Sequence, residues 1–125
     1  MINFSKESVS LVHKYIGQET GGSIGIRDEK LLDSALKSVF GSFGGVEFYP
    51  SKEEKGARIA YNLITTHPFI DGNKRIGMHV LCTFLQVNGI RLNCSDREII
   101  KVGISVADGS MGYEDLLNWV IEHKK

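Results

Sequence analysis

The chain is short of cysteine, has no excess charge of either sign and contains no long apolar run. Two cysteines, Cys82 and Cys94, occur in 125 residues. The two could in principle pair, but separated by an expected helix end and with no CxxC spacing they read better as small buried hydrophobes. Fifteen Lys and Arg balance fifteen Asp and Glu, so a general nucleic-acid or anionic-membrane binder is not expected, and a local basic cluster is the remaining route to phosphate. No run approaches the roughly 20 apolar residues that cross a bilayer. Met1-Ile2-Asn3-Phe4 lacks the charged and apolar regions of a secretion signal, so the expectation is a cytoplasmic protein with no membrane partner. P-loop, GxGxxG, repeat and low-complexity patterns are missing too, and His13, His79 and His123 lack partners at metal-site spacing. The length fits one domain over residues 1–125.

What the chain does contain is apolar residues at helical spacing. Ser5 caps an expected first helix through Val9, Val12 and Ile16, ending at Gly17 or Gly21-Gly22. Asp28 opens a second, with an apolar stripe of Leu31, Leu32, Ala35, Leu36, Val39 and Phe40 up to Gly41. The helical period then breaks: Phe43, Gly44, Gly45, Val46, Glu47, Phe48 and Tyr49 predict a small hairpin flap. Ser51 and Glu54 form a capping box for a third helix whose Ala57, Ala60, Tyr61, Leu63 and Ile64 predict a buried central element, stopped at His67 by Pro68. A fourth runs from near Asn73 through Ile76, Val80, Leu81, Phe84, Leu85 and Val87 to Asn88-Gly89. Ser95 and Glu98 box a fifth with Ile99, Ile100, Val102 and Ile104, and Leu116, Leu117, Trp119, Val120 and Ile121 form a sixth. Tyr61, Phe84 and Trp119 fall at core spacing, so the expectation is an all-α domain of about six helices with one small β-hairpin.

Between the third and fourth helices stands HPFIDGNKRIG, residues 67 to 77. Two readings are open from residue chemistry. In one, Asp71-Gly72 is a turn, Asn73 a cap, Phe69 and Ile70 core anchors, and Lys74 with Arg75 a solvated pair. In the other, the first amides of the fourth helix, with Gly72 admitting close backbone approach, make an anion site. Lys74 and Arg75 oppose the helix dipole at a cost of a few tenths of a kcal/mol, a conflict that a bound phosphate removes. A divalent cation such as magnesium would let Asp71 share that phosphate, and His67, near the reference imidazole pKa of about 6.5, could take a hydroxyl proton. These parts describe phosphoryl or nucleotidyl transfer.

HPFIDGNKRIG resembles the signature of the Fic/Doc family, H-x-F-x-[DEN]-[GA]-N-x-R, with His67, Phe69, Asp71, Gly72, Asn73 and Arg75 at the family's positions without a gap. GIRDEKLLDSAL, residues 25 to 36, also resembles a GxRD-x-x-LL-x-SAL segment common in the family. The resemblance implies the compact all-α Fic/Doc helical domain, with His67 as the base activating a target hydroxyl and Asp71 holding Mg2+. It implies that Phe69 packs inward to fix the loop and that Gly72, Asn73, Lys74 and Arg75 bind the phosphates of ATP. The flap, Phe43 to Tyr49, stands where the family docks an extended target chain by strand addition.

Two departures bear on the chemistry. AMP-transferring members usually read GNGRxxR, whereas this chain has Lys74 and Met78 at the glycine and second-arginine positions. Lysine adds bulk and charge at the cradle and methionine cannot hold a phosphate, so nucleotide is expected to sit differently. The Doc branch shares the NKR form. It resembles kinases that move the terminal phosphate of ATP to a threonine of elongation factor Tu and arrest translation, as toxins of toxin and antitoxin pairs. A Doc-like kinase acting on a Thr or Ser hydroxyl of a translation factor is the leading expectation; an AMP transferase and a non-catalytic nucleotide-binding regulator are the alternatives. The inhibitory pattern [ST]-x-x-x-E-[GN] has no match, since Ser110 to Asp115 ends in ED. A separate antitoxin is therefore the expected partner, and no direct nucleic-acid binding is expected.

Overall fold

The computed structural model describes residues 27–68 and 72–124. The helix expected from Ser5 lies outside them. Five α-helices and one hairpin follow in the order expected, α1 Glu29–Lys37, β1 Ser42–Phe43, β2 Val46–Glu47, α2 Lys52–Thr66, α3 Asn73–Val87, α4 Asp96–Ala107 and α5 Tyr113–His123. The fold is all-α with a two-stranded antiparallel appendage.

Local chemistry sets the boundaries. Asp28 accepts the Leu31 amide at 3.1 Å and starts α1, which tightens into a 3-10 turn, Ser38–Phe40, before Gly41. The hairpin pairs Phe43 with Val46 and Ser42 with Glu47. Its two-residue turn, Gly44-Gly45, has φ of 60° and 81°, the doubly left-handed geometry that matches strand twist and favours glycine. Reciprocal boxes start α2 (Ser51 with Glu54) and α4 (Ser95 with Glu98). At the end of α3, Gly89 turns left-handed at φ 89° and the Ile90 amide reaches back to the Leu85 carbonyl at 2.8 Å.

The core is an antiparallel α2–α3 pair that the remaining helices cover. Glycines let the two helices approach at both ends. A Cβ on Gly56 would meet Leu85, Leu81 and Phe84 side-chain atoms at 3.1 to 3.3 Å, and one on Gly77 would stand 2.6 Å from Ile64 Cγ1. Close contact at Gly77 fixes how the start of α3 lies against the end of α2, the two ends that carry the HPFIDGNKRIG segment.

Two expectations about burial change. Helix α4 buries Val102, Gly103 and Val106, while Ile100 and Ile104 are 63% and 49% exposed. The sequence offers apolar residues on two faces of this helix, and packing on α3 selects one. Cys82 and Cys94 are half-buried free thiols rather than core residues. Burial pushes the Cys82 thiol up to about 11 and raises Cys94 as well, so both resist ionisation.

Candidate active site

The site is built on the C-terminal end of α2 and the N-terminal end of α3. His67 closes α2 in the left-handed conformation, φ 52° and ψ 58°, and among the described residues it is the one non-glycine with positive φ. A non-glycine residue so held stores on the order of 1–3 kcal/mol. Its surroundings must therefore impose the geometry. Thr65 and Thr66 turn their hydroxyls back onto the carbonyls of Tyr61 and Asn62, both at 2.7 Å, which leaves the final carbonyls of the helix to other donors.

Those donors come from the residues before α1. Arg27 donates from Nε to the His67 carbonyl at 2.7 Å and from Nη2 to the Thr66 carbonyl at 3.0 Å. The amides of Arg27 and Asp28 both donate to the Pro68 carbonyl, at 2.8 and 3.0 Å. Three successive carbonyls beside His67 are thus held by one dipeptide. In the sequence Arg27 is one letter of GIRDEKLLDSAL, and no local pattern there marks a carbonyl partner.

Gly72 opens α3 with φ 78° and ψ 16°, and its carbonyl accepts the Ile76 amide at 2.8 Å. As a glycine it brings no side-chain acceptor to the first-turn amides, and the first turn holds no acidic residue. Asn73 is buried, whereas Lys74, Arg75 and His67 are exposed. Gly72, Asn73, Lys74 and Arg75 therefore share one helix end, next to the end that carries His67. Its donor set of amides, an ammonium and a guanidinium suits phosphate oxygens. Phe69 and Asp71, the expected loop anchor and metal ligand, lie outside the described residues. Among the described residues no cluster of three metal-ligating side chains occurs.

The flap residues form the hairpin, anchored near the other end of α2. The ammonium of the fully buried Lys55 donates to Glu47 Oε1 at 3.0 Å and to the Tyr49 carbonyl, and lies 5.6 Å from the centre of the Phe40 ring. Phe43, Val46 and Phe48 remain in solvent, Phe43 at 81%. Lys55 and His67 are about 18 Å apart at the helical rise of 1.5 Å per residue, so the hairpin base does not touch His67. Between α1 and α2 lies an open cavity of about 600 Å³, lined by Phe48 and Tyr49 from the flap, Leu31, Ala35 and Ser38 from the α1 side, and Arg58, Asn62 and Thr66 from α2.

The Fic/DOC family matches residues 3–85 of the chain, a span that takes in HPFIDGNKRIG, GIRDEKLLDSAL and the hairpin. The chain belongs to that family. It is also 38% identical over 72 residues to Toxin Doc of Mycolicibacterium smegmatis (strain ATCC 700084 / mc(2)155), a match covering 58% of this chain and 55% of that toxin. Fic/DOC proteins transfer phosphate or nucleotide groups to proteins. Against that background Met78, where AMP-transferring members usually place a second arginine, is buried to 2% exposure in the α3–α4 contact. Its Cγ stands 3.1 Å from where a Cβ on Gly103 would be.

Proposed function

We propose that this Fic/DOC protein is a Doc-like toxin that transfers the γ-phosphate of ATP to a serine or threonine hydroxyl of a protein, with a translation factor resembling elongation factor Tu as the target class. The observation that carries this reading is the contrast between positions 74 and 78. An exposed Lys74 stands beside Arg75 at the glycine-capped start of α3, while Met78 turns into the core.

In this reading His67 accepts the proton of the target hydroxyl, the oxygen forms a bond to the γ-phosphorus, and the bond from that phosphorus to the β–γ bridging oxygen breaks, releasing ADP. Gly72, Asn73, Lys74 and Arg75 hold the phosphates through helix amides and side-chain cations, so charge on the transferring group meets donors already in position. Asp71 would hold Mg2+, which supplies charge neutralisation to the phosphates when bound. Phe69 would take the loop-anchoring role that the family resemblance implies. The hairpin aligns the target chain by strand addition, and about six extended residues at roughly 3.3 Å each cover the distance from the hairpin base to His67. A cognate antitoxin restrains the activity, in keeping with the toxin name of the relative.

The test is incubation with a cell extract and ATP labelled at either the γ or the α phosphate. Label on a protein from γ-ATP alone, lost with His67→Ala, is the expected result. Transfer from α-ATP alone would replace the kinase with an AMP transferase. Equal growth arrest by wild type and His67→Ala would remove catalysis by this site altogether.

A further inference from the structure

We infer that Arg27 is a positioning residue for the reaction, holding His67 in the left-handed conformation from which its imidazole works. This inference rests on the reading of His67 as the base. Helix α2 has no basic residue in its last turn, so no side chain of its own complements the negative end of the dipole there. Arg27 supplies that complement from nearly 40 residues upstream. Its planar fork spans the carbonyls of Thr66 and His67, at 3.0 and 2.7 Å, a two-point grip that a lysine ammonium cannot reproduce.

The grip falls on the residue that needs it. The His67 backbone sits at φ 52°, and its φ and ψ fix the direction of the Cα–Cβ bond and hence where the ring can reach. With the carbonyls of residues 66 and 67 held by the guanidinium and that of Pro68 held by the amides of Arg27 and Asp28, the peptide planes on both sides of His67 are fixed. Asp28 at the same time caps α1. The Arg-Asp pair thus joins the start of one helix to the end of another, and the histidine lies at the joint. No atom of Arg27 has to touch nucleotide or target for this, so its loss acts on turnover rather than on ATP binding.

The experiment compares wild type, Arg27→Met, Arg27→Lys and His67→Ala in two measurements. The first is the rate of label transfer from γ-labelled ATP to extract protein as ATP is varied. Arg27→Met is expected to lower kcat by about 10-fold to 100-fold, with the KM for ATP within about 2-fold of wild type. Arg27→Lys recovers part of the loss. The second is the backbone carbon chemical shifts of residues 66–68, which report φ and ψ directly and need no turnover. In Arg27→Met the His67 shifts leave their left-handed values and those of its two neighbours move with them, while the rest of the spectrum keeps its dispersion.

Unmoved shifts at residues 66–68 in Arg27→Met overturn the grip itself, whatever the assay reads. A raised KM with unchanged kcat overturns the positioning role in favour of nucleotide binding. If His67→Ala transfers label as fast as wild type, the base assignment falls instead, and the catalytic consequence of Arg27 falls with it.

Discussion

Gly77 on α3 and Ile64 on α2 approach so closely that a Cβ at position 77 would lie 2.6 Å from Ile64 Cγ1 and 3.2 Å from the Ala60 carbonyl. Neither neighbour is the loose tip of a side chain. Alanine gains about 1 kcal/mol over glycine in a helix interior, but overpacking costs about 1–3 kcal/mol or more when the backbone must shift. Gly77→Ala is therefore expected to lower the urea midpoint of unfolding. Gly56→Ala, which meets the ends of Leu85, Leu81 and Phe84 at 3.1 to 3.3 Å, is expected to be milder, and an equal loss from the two would refute the argument.

Lys55 ties the hairpin to the body of the protein. Removing its ammonium by Lys55→Met leaves the Tyr49 carbonyl without that donor and frees Glu47, which at 51% exposure rehydrates readily. The loss should be about 1–3 kcal/mol, with limited proteolysis moving to residues 42–49. Glu47→Gln keeps the carbonyl bond and should cost less.

Alkaline conditions should weaken the fold through two groups. Burial pushes Tyr113 from 10.0 up to about 12 and Cys82 from 9.0 up to about 11. Both are held protonated in the native state, so the unfolded chain releases its protons first and stability falls as pH rises, through 9 to 11 for Cys82 and 10 to 12 for Tyr113. Below 9 both contributions are fully present. The denaturant midpoint should fall as pH rises across this range in wild type and fall less in the double variant Cys82→Ala and Tyr113→Phe. In acid the sign reverses for Glu53, whose hydrogen bond from Lys124 lowers its pKa below 4.5: that contribution is lost as pH falls through the lowered value.

Met78→Arg restores the second arginine of AMP-transferring members in sequence only. The position is buried against α4 near Gly103, and an unpaired guanidinium there should cost on the order of 3 kcal/mol or more. The expected outcome is a destabilised protein with no gain of α-phosphate transfer. A stable variant that transfers AMP would show that the residue can turn outward.

His67→Ala should leave the far-ultraviolet circular dichroism of wild type intact, because His67 is exposed and outside the core, and lower transfer by about 100-fold to 10,000-fold. Relief of the left-handed backbone is not expected from alanine, which tolerates that region no better than histidine.

Much of this architecture was legible because its signals are local. Ser51 with Glu54, Ser95 with Glu98, Gly44-Gly45 and Asn88-Gly89 each satisfy or bend backbone within a few residues, and each boundary falls where the sequence put it. The role of Arg27 was not legible, since its partners are carbonyls 39 and 40 residues away that no side-chain pattern advertises. The same holds for Lys55, a charge inside the core whose acceptors include a main-chain oxygen. On α4, Ile99, Ile100, Val102, Ile104 and Val106 fit more than one face, and only contact with α3 leaves Ile100 and Ile104 in water. For the site, the gathering of His67 with Gly72 to Arg75 follows from the helix boundaries, whereas Phe69 and Asp71 lie outside the described residues.

The hairpin has a further consequence for how the molecule behaves at high concentration. An exposed strand edge with apolar side chains ordinarily invites copies of itself to stack, and proteins guard such edges with charge, bulges or brevity. With strands of two residues each, this edge carries too few main-chain donors and acceptors to propagate a ladder. Phe43, Val46 and Phe48 can thus remain in water without becoming a seed for aggregation.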